Sequence, residues 1–136
     1  MKLSTVITLL FIITILACES PPTNYARLSG KISNRNCDSL IITNHPKHHG
    51  YPFQYKKVIA VTPFGSFEDT LKIHAGFYQL YDPTGKLYTS IYLRNGFDLQ
   101  TILDGKQKNA PIYFEGEGSE SNNLLIQEAL FPRQLN

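Results

Sequence analysis

Tryptophan is absent, methionine occurs only as Met1, and cysteine occurs only as Cys18 and Cys37. No C-x-x-C pair exists, which excludes thioredoxin-type thiol exchange within this chain and the paired-cysteine zinc motifs. Two cysteines are also too few for a disulfide-built scaffold, so stability has to come from packing. The sequence holds no H-E-x-x-H element, no glycine-rich phosphate loop and no Ser-His-Asp ordering, so no nucleophile is nominated. Charge of one sign is lacking too: 13 Lys and Arg stand against 11 Asp and Glu, for a formal charge of +2 at pH 7. The basic residues are scattered singly or in pairs, which gives no stripe for nucleic acid, and no nucleic-acid partner is expected. Long apolar runs are missing except for Val6 to Ala17. At roughly 1.5 Å per residue its about twelve residues reach only ~18 Å as a helix, short of the ~30 Å hydrocarbon core.

That one run has the pattern of a secretory leader. Lys2 supplies the positive start, the apolar stretch is broken only by Thr8 and Thr14, and Pro21 and Pro22 forbid a continued helix. Ile15-Leu16-Ala17-Cys18 resembles a bacterial lipobox, with an aliphatic residue three places before the cysteine and a small residue directly before it. The resemblance implies a signal peptide over residues 1–17 and a diacylglyceryl group on the Cys18 sulfur. The mature protein would then be a lipoprotein of the cell envelope, held on the periplasmic side of the inner or outer membrane. Two or three acyl chains, at ~0.8 kcal/mol per buried CH2, hold a small domain durably. An ordinary secretory signal with a cysteine at its cleavage site is the alternative. Residues 18–24 form a short polar tether with two prolines.

Beyond the tether there is enough chain for one domain and too little for two. Eight Tyr and eight Phe accompany many Thr, Ile and Val, with Gly or Pro recurring at short intervals, which favours strands. Ala26, Leu28, Gly30 and Ile32 alternate with Arg27, Ser29, Lys31 and Ser33, the period of a half-buried strand. Further strands are expected at Leu40 to Thr43, Lys57 to Thr62, Phe67 to Ile73, Phe77 to Tyr81, Leu87 to Leu93, Phe97 to Leu103 and Ile112 to Glu115. Asp69 is a polar misfit on the apolar face of its strand. Asp82-Pro83-Thr84-Gly85 has turn chemistry at every place, and the Asn95-Gly96 step predicts a hairpin between its flanking strands. Residues 116–123 are expected to be a flexible, cap-rich lead into a helix over Leu124 to Leu130, halted by Pro132. The fold class is therefore mainly β: an antiparallel β-sandwich of about seven or eight short strands with one short C-terminal α-helix, over residues 25–131, and a tail at 132–136.

Few residues present themselves for chemistry. His45, His48 and His49 are candidate metal ligands, with Asp38 or His74 as conceivable completers, because neutral imidazoles bind zinc, copper or nickel. Lys47 between them and the irregular spacing favour a solvated turn, so neither metal nor cofactor is expected. Cys37, unpaired once Cys18 is acylated, could sense redox state or join two chains, and is expected instead to be a buried, inert thiol. Glu115, Glu117 and Glu120 are separated by glycines and read as a solvated junction. Tyr25, Tyr51, Tyr55, Tyr81, Tyr88 and Tyr113 are shared between core padding and a surface for a glycan or peptide.

The order of motifs carries one wider likeness. Gly65-Ser66-Phe67, Leu71-Lys72-Ile73, Gly76-Phe77-Tyr78-Gln79-Leu80, the run from Ile91 to Leu99, and Ile112 to Gly118 with Asn122-Asn123 follow one another in the mature chain. Together they resemble the N-terminal β-rich domain of TlpA-type thiol-disulfide oxidoreductase lipoproteins of the Bacteroidota. The resemblance implies a domain set between a lipid anchor and a thioredoxin-like domain, and the catalytic C-x-x-C is missing here. The expectation is a non-catalytic envelope lipoprotein, a binding or spacer module with a membrane partner through Cys18 and an envelope protein partner. The alternative is a truncated oxidoreductase, which a neighbouring reading frame encoding a C-x-x-C domain would support.

Overall fold

The computed structural model describes residues 23–44, 54–108 and 110–131. The leader, Cys18, Tyr51, the three loop histidines and the tail lie outside them. Eight strands appear in order: β1 Ala26–Ser33, β2 Ser39–Asn44, β3 Lys56–Ala60, β4 Ser66–Leu71, β5 Gly76–Tyr81, β6 Tyr88–Leu93, β7 Asp98–Asp104 and β8 Phe114–Glu117. Among the described residues one helix, α1 Ser119–Leu130, follows. The strands form two four-stranded sheets, the first ordered β4-β1-β7-β8 and the second β3-β2-β5-β6. The expected β-sandwich is present. Its sheets stay open rather than closing into a barrel.

Alternation drives the layering. Leu28, Ile32, Phe67, Leu71, Leu99, Leu103 and Phe114 point inward from the first sheet. Leu40, Ile42, Ile59, Tyr78, Leu80, Ile91 and Leu93 meet them from the second, so one continuous core fills the space between. Gly30 holds an inward position on β1 without a side chain. A Cβ there would lie 2.0 Å from the Thr101 carbonyl oxygen and 2.8 Å from the Phe67 ring, so the aromatic ring fills the place that a larger residue would claim.

Two connections differ from expectation. The first concerns strand direction: every other pair is antiparallel, but β1 and β7 run parallel, from Arg27 opposite Asp98 to Ser33 opposite Asp104. The chain leaves the first sheet after β1, returns as β4 on one side of it, leaves again, and returns as β7 on the other side. The crossover that a parallel pair requires is made by strands of the opposite sheet instead of by a helix.

The second concerns Arg94-Asn95-Gly96, which is not a hairpin turn. The Phe97 N–H does donate to the Arg94 carbonyl at 3.2 Å, and Gly96 takes a positive φ of 93°. However, Gly96 N–H donates to Tyr25 O at 3.0 Å and Arg27 N–H donates to Phe97 O at 2.8 Å. β1 thus claims the outgoing strand, and the turn carries the chain from one sheet to the other. By contrast Asp82-Pro83-Thr84-Gly85 turns as expected. Asp82, 1% exposed, accepts from Leu87 N–H at 2.9 Å and from the Thr84 hydroxyl, while Gly85 N–H donates to Asp82 O at 3.0 Å.

An open sandwich has two exposed sides, and each is covered differently. On the side of β3 and β4, the Thr62 to Ser66 turn joins the sheets, with Val61 bridging Phe67. There Lys57 Nζ meets Asp69 Oδ2 at 3.4 Å. Asp69 therefore fits its inward place because it lies at an edge beside a cation. Inward-facing charges on edge strands also discourage pairing with another chain. On the opposite side, β6 and β8 are the free edges, and α1 covers them.

Candidate functional site

The helix is seated by two consecutive asparagines. The Asn122 side-chain oxygen accepts from Tyr92 N–H at 2.7 Å, and its amide nitrogen donates to Tyr92 O and to Gly118 O, each at 3.0 Å. Asn123 repeats the arrangement on the other sheet, accepting from Phe114 N–H and donating to Phe114 O, both at 2.9 Å. Each carboxamide presents an N–H and a C=O side by side, as a peptide group does, so it pairs with an edge strand as another strand would, and the second N–H of Asn122 goes to Gly118. One helix turn thereby joins the outer edges of both sheets. The segment expected to be a flexible lead is instead ordered: residues 116 and 117 belong to β8 and the helix begins at Ser119. Gly118 caps it with a φ of +92°, and a Cβ there would lie 2.4 Å from the Phe97 ring, so glycine is required twice over.

Below the clamp a slit stays open between β6 and the segment leading into β8. Its volume is about 250 Å3, and Ile112, Leu125, Ile126, Ala129 and Leu130 make it largely apolar, with Tyr88 also lining it. The helix accordingly buries less than its sequence promised. Ile126 is buried, whereas Leu124, Leu130 and Phe131 are exposed.

The outer faces of the two sheets contrast. The first is polar apart from the exposed Ile102 on β7: Arg27 donates to Glu68 at 2.7 Å and reaches Asp98 at 3.7 Å across three strands. The second carries a row that spans all four of its strands, because Val58 pairs with Ile41, Ile41 with Tyr81, and Tyr81 with Tyr88. Each of these alternates with a core residue along its strand and faces outward. A polar row of Lys56, Thr43, Gln79 and Ser90 lies beside it. Beyond that, Phe77 and Tyr92 meet with ring centroids 5.3 Å apart and planes tilted by 58°. An antiparallel sheet facing water ordinarily alternates apolar-in and polar-out, and this apolar outward row departs from that pattern.

Of the residues singled out in the sequence, Cys37 is buried, and burial followed by the neighbouring Asp82 charge pushes its thiol pKa upward. Its thiol stays protonated at neutral pH. Glu115, Glu117 and Glu120 are exposed on β8 and the first helical turn and do not converge. Among the described residues no three His, Cys, Asp or Glu side chains come close enough to share a metal. Tyr55, half-buried, packs edge-on against Tyr78 at 5.6 Å at the margin of the core, whereas Tyr88 and Tyr113 are exposed. The sequence reading has Tyr81 and Tyr88 among the tyrosines considered for a surface, but missed Val58, Ile41 and the row they complete, although all four sit at outward places of four expected strands. Only register shows that they align. It also missed the asparagine clamp, whose signal was the Asn-Asn pair ahead of an apolar run. No helix among the described residues is long and apolar enough to cross a membrane. In comparisons with protein-family models and with curated proteins, nothing matches the chain.

Proposed function

We propose that this protein is a non-catalytic binding module of the cell envelope, held on a bilayer by acyl chains on Cys18. The observation that carries the binding half is the outward row Val58, Ile41, Tyr81 and Tyr88, which spends apolar surface on water without serving the core. The anchoring half is supported by Ile15-Leu16-Ala17-Cys18 behind a positively started apolar run. The polar tether through Thr23 would hold the sandwich off the lipid surface and leave its faces accessible.

Two measurements test the two halves. Cys18→Ala is expected to release the protein from membranes and to abolish incorporation of a labelled fatty acid; unchanged membrane association refutes the anchor. A photo-crosslinking residue placed at Tyr81 is expected to capture an envelope component in cells, while one at Arg27 on the opposite face captures none. Equal yields at both positions refute the surface.

A further inference from the structure

We propose that the slit beneath α1 binds an extended peptide segment of a partner protein, which adds as a strand to the uncovered part of the β6 edge. The proposal rests on reading the domain as a binding module and is independent of the anchor.

The argument begins with Tyr92. Its N–H and C=O both go to Asn122, so both point away from β5. In an antiparallel pair this direction alternates residue by residue. Ser90, opposite Gln79, and Tyr88, opposite Tyr81, therefore present their N–H and C=O to the same outer edge as Tyr92. The helix satisfies Tyr92 alone. Ser90 and Tyr88 lie beyond the clamp and line the slit. Among the described residues neither N–H has a hydrogen-bond partner, and the Ser90 carbonyl receives only the Thr89 hydroxyl at 3.2 Å, which leaves a second lone pair. Four main-chain groups are thus in register with the two that an amide already occupies one step along the same strand.

The occupant follows from what this edge has already accepted and from the room beside it. Asn122 shows a carboxamide bound with one donor and one acceptor, and the backbone of an extended chain repeats that pair at every second residue. At about 250 Å3 the slit is smaller than the roughly 300–1,000 Å3 of small-molecule pockets, and its floor of Ile112, Leu125 and Ile126 suits an aliphatic side chain of the added strand. A second copy of this chain fits poorly. α1 lines the slit as far as Leu130, and a helix about 10 Å across keeps another sheet from the ~4.8 Å spacing that strand pairing needs. A single extended chain is narrower than a second sheet and asks only for a place beside β6.

The test uses the full chain in detergent micelles and an end-blocked pentapeptide of alternating threonine and leucine. Two further versions carry N-methyl groups, one on every threonine and one on every leucine. The unmodified peptide is expected to shift the amide resonances of Ser90 and Tyr88. One methylated version is expected to bind at least ten-fold more weakly while the other binds as before, because only alternate peptide N–H groups face the edge. Ser90→Pro removes an edge N–H that β5 does not use, and is expected to weaken binding by a similar factor. Should that variant fail to fold, the methylated pair decides on the unaltered chain. Equal affinity of the two methylated peptides, absence of binding at millimolar peptide, or shifts confined to β3 and β5 would overturn the proposal. So would a concentration-dependent dimer abolished by Ser90→Pro, which would assign the edge to a second copy. None of these outcomes touches the membrane release of Cys18→Ala.

Discussion

Asn122→Ala removes three hydrogen bonds in one step, those of 2.7, 3.0 and 3.0 Å to the backbone of Tyr92 and Gly118. At a net ~0.5–1.5 kcal/mol each, the loss is about 1.5–4.5 kcal/mol. The upper half of that range is expected, since Asn122 is 1% exposed and water cannot readily replace it at Gly118. For a domain of this size the melting temperature should fall by roughly 10–20 °C. Asn123→Ala removes two bonds of 2.9 Å at a less buried place, so about 1–2 kcal/mol is expected. Urea unfolding monitored by tyrosine fluorescence gives both values, and hydrogen exchange should show the Tyr92 amide losing protection in the first variant only. The reasoning fails if Asn122→Ala costs less than about 0.5 kcal/mol, the range of ordinary surface substitutions. It fails equally if Asn123→Ala costs more than Asn122→Ala, because the ranking follows from bond number and burial alone.

Two other perturbations probe the core and its titrating groups. Gly30→Ala drives a methyl into the Thr101 carbonyl and the Phe67 ring, and should cost about 2–3 kcal/mol by urea unfolding, with Phe67→Leu relieving only the part owed to the ring. Cys37 keeps its proton to higher pH in the folded protein than its ordinary 9.0, so the unfolded chain loses that proton first. The stability from this group is present at neutral pH and declines as pH rises from the unfolded value through the folded one; Cys37→Ala should flatten that decline in unfolding measured between pH 7 and 10.5.

What the sequence by itself determined is local. Alternation along Ala26 to Ser33 and along the other apolar stretches assigned the strands and their inward faces, because a period of two is set by backbone geometry within a single segment. Asp82-Pro83-Thr84-Gly85 was legible for the same reason, since each of its residues acts on its own backbone or on a near neighbour. Partnership between segments was decided only by the tertiary structure. Asn95-Gly96 has hairpin chemistry, yet β1 bonds with the strand that follows it, and no property of the turn encodes that choice. Asp69 is a misfit until β3 brings Lys57 beside it. Asn122 and Asn123 have the composition of a helix cap, and they became an edge clamp only when the strand order put β6 and β8 on the same open side. Val58, Ile41, Tyr81 and Tyr88 are separate outward residues in sequence and one surface in space, because a row across a sheet is defined by register, which long-range pairing sets.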